Sequence, residues 1–132
     1  MTIVVDTSAL TAVVFGEPDA EALVGRMLAS AGDVMISAAT VVEAHIVVEA
    51  KQGPTASADL TVLLDTIAAT IAPVDAELAQ WAVAAWKRFG KGRHPAALNY
   101  GDCFSYALAK RLSAPLLYKG ADFTQTDLAS AL

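Results

Sequence analysis

Four short apolar runs, each set off by residues that start or stop helices, constrain this chain most. Residues 2–5, 34–36, 71–74 and 114–118 are too short for helices and carry mostly Val, Ile and Leu, which suits buried strands. Between them lie stretches with helical spacing. Thr7 or Ser8 can cap a helix over 9–15, which Gly16 stops. Pro18 opens a helix that runs to about residue 31. Ser37 caps one over 38–52, and Gly53-Pro54 breaks it before another over 55–69. Asp75 caps a helix to residue 89, with Leu78, Trp81, Ala82 and Ala85 inward. Asn99 caps the last, to residue 112, with Phe104, Ala107, Leu108 and Leu112 as its apolar stripe. Strands alternating with helices predict an α/β fold. Its central parallel sheet has four strands, or five if the tail adds one, with helices on both faces. Pro73 in the third run predicts an edge position or a strand end. The 132 residues show no internal repeat and no boundary, which predicts one domain over 1–132.

In such a sheet a helix that follows a strand begins at the carboxyl edge, where open α/β sheets bind ligands. Four acids map to that edge. Asp6 ends the first strand, and Glu43 lies in the first half of the helix after the second. Asp102 is in the first turn of the last helix, and Asp122 comes shortly after the fourth strand. Glu17, Asp19, Glu21, Asp33, Asp59 and Asp65 fall on outer helices or loops. Four carboxylates forced together repel, and each resists ionisation. Two divalent cations supply the matching charge, and Mg2+ or Mn2+ prefers oxygen ligands and keeps several waters. A metal pair about 3.5–4 Å apart can activate a water and stabilise the leaving oxygen of a phosphodiester. Plainer readings stand beside this one, with Asp6 as a cap and Asp122 as a turn residue. Glu43 is less easily explained away. Its helix carries Val41, Val42, Ile46, Val47 and Val48 and reads as buried on most sides, where an unpaired carboxylate is costly.

Two consecutive helices, 75–89 and 99–112, separate the third and fourth strands. With both descending from the carboxyl edge, the linker 90–98 must climb back. Nine residues span about 30 Å extended, against roughly 22 Å for the helix. The linker is basic, and its path would lay Lys91, Arg93 and His94 near that edge. The net charge of −5 conceals an asymmetry: residues 1–86 hold eleven acids and two bases, residues 87–132 three acids and seven bases. Lys87, Arg88, Lys91 and Arg93 make either a polyanion-binding surface or a helix end that complements its dipole.

The stretches VVDTSAL, NYGDCFSYALAK and LLYKGADF, with Glu43 between the first two, resemble the motifs of the PIN-domain ribonucleases. Within them the likeness is to the VapC-type toxins of bacterial toxin–antitoxin pairs, and it spans nearly the whole chain. The resemblance implies a PIN fold and Mg2+- or Mn2+-dependent endonucleolytic cleavage of RNA. It implies a homodimeric toxin and a cognate VapB-type antitoxin whose C-terminal segment covers the groove. It makes Asp6, Glu43, Asp102 and Asp122 the metal ligands, with Asp127 able to assist or replace Asp122. Thr7, Ser8 and Asn99 would orient them, as partners of metal ligands do. Lys91, Arg93, His94 and Lys119 are candidates for holding RNA phosphates. Trp86, Tyr100 and Tyr106 could stack on bases, whereas Trp81, at helical spacing from Leu78, reads as core. His45 lies two residues from Glu43 and points elsewhere, toward packing or an interface.

The composition agrees. At 55% hydrophobic and 17% charged, against about 25% charged on average, the chain has either an Ala-rich core or an apolar face for a second copy or partner. Cys103 is the one cysteine, so no disulfide forms within the chain and a reducing compartment is expected. The N-terminus lacks a basic leader and no apolar run nears the roughly 18 residues of a membrane span. A cytoplasmic protein with no membrane contact is expected. Two rivals remain. A phosphoacceptor receiver could use Asp75 and Lys119, but it needs an acid pair at the first strand and leaves Glu43 without a role. A non-catalytic PIN-like interaction module would not need the complete acid set.

Overall fold

The structure is a computed structural model that describes residues 1–132. The four apolar runs form strands β1 (Ile3–Val5), β2 (Val34–Ser37), β3 (Thr70–Ala72) and β4 (Leu116–Leu117). They join in one parallel sheet in the order β3-β2-β1-β4. Helices α1 (Thr7–Val14), α2 (Ala20–Ala29), α3 (Ala38–Gln52), α4 (Pro54–Thr66), α5 (Ala76–Phe89) and α6 (Tyr100–Leu112) cover it. The pleat sends successive side chains to opposite faces. Val4 and Leu116 therefore join one core with α5 and α6, while Ile3, Val5, Val34, Ile36 and Leu117 join the other with α1 to α4. The tail adds no fifth strand. It makes a single bridge, Leu116 to Ser130, and Arg26 holds it by donating from Nε to the Ala131 carbonyl at 2.7 Å.

β3 lies at an edge and stops before Pro73, as a residue without an N–H requires. Ser37, Asp75 and Asn99 cap α3, α5 and α6 as expected. Other expectations need correction. α1 is capped by Asp6 rather than by Thr7 or Ser8, and α2 starts at Ala20, beyond Pro18. α3 buries only Thr40, Ala44 and Val48, leaving Val42 59% and Ile46 63% exposed. Trp81 is 40% exposed, not core. α6 has no single stripe: every residue from 102 to 109 is buried, because α6 packs against α5, α3 and the sheet at once, while Leu112 is exposed.

The linker 90–98 does not climb the sheet. Leu98 donates to the Phe89 carbonyl and Lys91 donates to the Leu98 carbonyl, both at 2.9 Å, so the loop closes on itself. At the opposite ends, Arg111 late in α6 pairs with Asp75 and Glu77 at the start of α5. The two helices therefore form an antiparallel hairpin, and α5 makes the ascent assigned to the linker. The basic loop still arrives beside the first turn of α6.

Candidate metal centre

β1 is a central strand, and the chain leaves it directly into α1, so Asp6 stands at the head of the sheet. Its Oδ2 accepts from the Ser8 backbone N–H at 3.0 Å and from the Ser8 hydroxyl at 2.7 Å. Its Oδ1 accepts from the Ser105 hydroxyl at 2.5 Å, and the Ser105 oxygen lies 3.3 Å from the Thr40 hydroxyl. All four side chains are fully or partly buried. This chain ties α3 and α6 to the end of β1.

Asp102 is buried at the start of α6 in a reciprocal cap. Asn99 Oδ1 accepts from the Asp102 N–H at 2.9 Å, and Asp102 Oδ2 accepts from the Asn99 N–H at 3.1 Å. Burial pushes its carboxyl up to about 7. The Asn99 N–H opposes that, and the negative charges of Asp6, Asp122 and Glu43 add to it. Asp6, Glu43 and Asp122, dispersed along the chain, thus lie within electrostatic reach of Asp102.

Glu43 reaches the centre from α3. Its Oε1 accepts from the Thr7 hydroxyl at 2.5 Å. Its carboxylate also lies over the first turn of α6, where a Cβ at Gly101 would come within 2.1 Å of Oε2. Glycine at 101 is what lets α3 and α6 approach with the carboxylate between them. Asp122 is exposed, in the loop after β4. That loop is tethered: the Lys119 N–H donates to the Ser8 hydroxyl oxygen at 3.0 Å, and the Lys119 ammonium pairs with Glu17 and Asp19. Ser8 thereby links Asp6 to the segment that carries Asp122. Asp127 is engaged elsewhere, bound by the Tyr106 hydroxyl at 2.6 Å and by Lys110 and Arg88. Burial acts to raise its carboxyl, and those three partners outweigh burial and hold it below the usual range.

Asp6, Glu43, Asp102 and Asp122 take part in no ion pair with a Lys or Arg. Their negative charge is left uncompensated, which is what a divalent cation would offset. No three acid, His or Cys side chains are set closely enough to ligate one ion by themselves. A cage made wholly of protein is therefore absent; an ion that takes one or two carboxylates and keeps several waters would not need one.

Lys91 and Arg93 are exposed beside this centre, and the Arg93 guanidinium lies 4.6 Å over the Trp86 ring. His94 is used locally, its Nδ1 accepting from the Ala96 N–H at 3.0 Å. Tyr106 is buried, which leaves Tyr100 and Trp86 as the accessible rings of the three proposed for stacking. His45 turns away from the acids to bond Ser57 on α4 at 2.6 Å. Cys103 is buried; burial and the Asp102 charge push its thiol up to about 11, which disfavours the nucleophilic thiolate. Thr40, Gly101 and Ser105 are the contributors not singled out from sequence. Two signals were present: a helix-disfavoured Gly in the first turn, and a hydroxyl three residues after Asp102 in an apolar run.

A parallel α/β sheet with these acids at its carboxyl edge defines a class, and the comparison with known families agrees. Residues 3–128 match the family model of the PIN domain, and the chain belongs to that family. Among its relatives, ribonuclease VapC of Mycolicibacterium smegmatis is 46% identical over 127 residues, covering 96% of this chain and 98% of that one. Ribonuclease VapC30 of Mycobacterium tuberculosis is 46% identical over 127 residues, covering 96% of each. VapC36 of the same organism is 46% identical over 125 residues, covering 95% of this chain and 90% of that one. The crystal structure of Mycobacterium tuberculosis VapC20, described as a sarcin-ricin loop cleaving toxin, shares the fold with a TM-score of 0.78 at 20% identity, covering 97% of each chain. The phosphoacceptor reading falls with this membership. Asp75 is an exposed cap of α5 that pairs with Arg111. No helix is long and apolar enough to cross a membrane.

Proposed function

We propose that this chain is a divalent-metal-dependent endoribonuclease, the toxin of a VapC-type toxin–antitoxin pair, acting as a single domain in the cytoplasm. The observation that carries the reading is the convergence of Asp6, Glu43, Asp102 and Asp122 on the carboxyl edge with no Lys or Arg paired to any of them. The names of its relatives support the choice of RNA as substrate. These four carboxylates would hold Mg2+ or Mn2+, in part through water. When bound, such an ion polarises the phosphodiester and makes water a nucleophile at neutral pH. The protein's own part is orientation. Ser8 and Ser105 fix both oxygens of Asp6, Thr7 aims Glu43, Asn99 holds Asp102, and Lys119 with Ser8 tethers the loop of Asp122.

Lys91 and Arg93 would meet RNA phosphates beside the centre; Lys119 is already shared between Glu17 and Asp19, and His94 with the loop backbone. Exposed Val42 and Ile46 on α3 and Trp81 and Val83 on α5 support an apolar interface for a second copy or a VapB-type antitoxin.

The test is cleavage of total RNA by the purified chain, with chelator and with Mg2+ or Mn2+ restored. Asp6→Asn and Asp102→Asn are expected to abolish metal-dependent cutting while circular dichroism stays native. Cutting at the wild-type rate by either variant, or in chelator, would overturn the assignment. Co-expression with a cognate VapB-type antitoxin should remove toxicity.

A further inference from the structure

The loop after β4 is pinned at its far end as well as at Lys119. Asp6, Glu43 and Asp102 each accept a hydrogen bond at their own carboxylate. Asp122 is exposed, and its aim depends on the path of its backbone. Asp127 closes that path. Its carboxylate accepts from the Tyr106 hydroxyl at 2.6 Å and the Lys110 ammonium at 3.0 Å, both on α6, and from Arg88 on α5 at 3.3 Å. Asp102, Tyr106 and Lys110 recur at intervals of four and so lie along one side of α6. The loop follows that side. Asp122 acts on the Asp102 carboxyl in the first turn, and Asp127 is held one and two turns further on.

The backbone between the two acids is braced. The Ala121 carbonyl accepts from the Thr124 N–H at 3.1 Å and from its hydroxyl at 2.6 Å. The Phe123 carbonyl accepts from the Thr126 N–H at 3.1 Å and from its hydroxyl at 2.7 Å. Phe123, next to Asp122, is 1% exposed; it lies in the core with α5 and α6 and meets the Tyr118 ring at 5.2 Å. A shift at residue 127 is therefore passed to residue 122 rather than absorbed on the way. Of the three bonds on Asp127, the one from Tyr106 holds best. The Arg88 and Lys110 side chains are 62% and 36% exposed, and ion pairs in water contribute little. The Tyr106 ring is buried against Phe89 at 5.4 Å, which fixes the direction of its hydroxyl.

We propose that Asp127, clasped by the Tyr106 hydroxyl, is a positioning residue for the divalent ion: it holds the loop so that Asp122 faces Asp102, and it does not itself ligate. The inference rests on the assignment of Asp122 as a metal ligand. It replaces the expectation that Asp127 assists or substitutes for Asp122.

The test titrates the full chain with Mn2+, free ion being read by electron paramagnetic resonance, with no RNA present. Asp127→Ala should weaken Mn2+ binding by about 10-fold, the lower end for partners that orient metal ligands. Tyr106→Phe should reproduce the loss. Asp127→Asn keeps an acceptor for the Tyr106 hydroxyl and should bind Mn2+ close to wild type, whereas a lost ligand could not be replaced in this way. Asp122→Asn with Asp127→Ala should bind no more weakly than Asp122→Asn alone, because the clasp acts through Asp122. In the ion-free chain, Asp127→Ala should speed amide hydrogen exchange over residues 121–126 and leave β1 unchanged. Wild-type affinity in Asp127→Ala, equal damage from Asp127→Asn and Asp127→Ala, or additive losses in the double variant would each overturn the proposal, as would unchanged exchange over 121–126. Failure of the underlying assignment has a different signature: Asp122→Asn itself would bind Mn2+ like wild type, and the clasp would fall with it.

Discussion

Gly101→Ala separates the folding role of α6 from its role at the acid centre. Position 101 has an ordinary helical backbone, so alanine should favour the helix by roughly 0.5–1 kcal/mol. Its Cβ would stand 2.1 Å from Oε2 and 2.5 Å from Cδ and Oε1 of Glu43. Side-chain carbons do not approach closer than 3.0 Å, so the carboxylate must retreat by about 1 Å. The obstructing atoms are the far end of a flexible, half-buried side chain. Relief is therefore a rotation that breaks the Thr7 hydrogen bond, a loss of about 1 kcal/mol. These effects nearly cancel, and the melting temperature should stay within a few degrees of wild type. Activity should not survive as well, since misplacing a reacting group by about 1 Å costs on the order of 100-fold. Initial rates of RNA cleavage against Mg2+ concentration, beside thermal melts by circular dichroism, measure both. Glu43→Gln should be as damaged, and adding Gly101→Ala to it should cost little more, because both act on one carboxylate. Wild-type cleavage by Gly101→Ala would refute the reasoning, and so would a collapse in stability.

Other outcomes rest on the same geometry. The folded Asp102 carboxyl titrates at about 7 against 3.8 when unfolded, so between those values the folded chain holds a proton that the unfolded chain has lost. Stability of the ion-free protein should therefore fall as pH rises from about 4 to about 7 and level off above; denaturant melts across that range should show the slope, and Mg2+ should flatten it. Ser105→Ala strips the Asp6 Oδ1 of its buried donor and leaves Thr40 without a partner. It should lower stability by about 1–3 kcal/mol and weaken divalent-ion binding by about 10- to 100-fold, read by calorimetry. Arg93→Ala should weaken RNA binding and reduce its salt slope by about 1, whereas Lys119→Ala, already paired with two acids, should leave that slope unchanged. The reverse pattern in salt titrations would exchange their roles.

Some of this is legible in one dimension because it depends on neighbours along the chain. Ser37, Asp75 and Asn99 are caps by virtue of the helical residues directly after them, and the strands announce themselves by apolar runs. Burial is less legible. α3 and α6 look equally apolar in sequence, yet α3 leaves Val42 and Ile46 in water while α6 is buried throughout residues 102–109. Helical spacing tells which residues share a face; it does not tell how many elements will cover that face. The direction of α5 escapes the sequence for a related reason. Whether a loop crosses the sheet or closes on itself depends on backbone pairs such as Leu98 with Phe89, which no local pattern encodes.

The sequence by itself determined the α/β class and the order of the elements, and strand–helix alternation sends Asp6, Glu43, Asp102 and Asp122 to one edge of a parallel sheet. Only the tertiary structure decided what holds each acid. The Ser105 hydroxyl on Asp6 and the space that Gly101 leaves for Glu43 join residues 99 and 58 positions apart. Contacts at that separation arise when helices pack across a common core, where the geometry of approach, rather than any repeat along the chain, selects the partners.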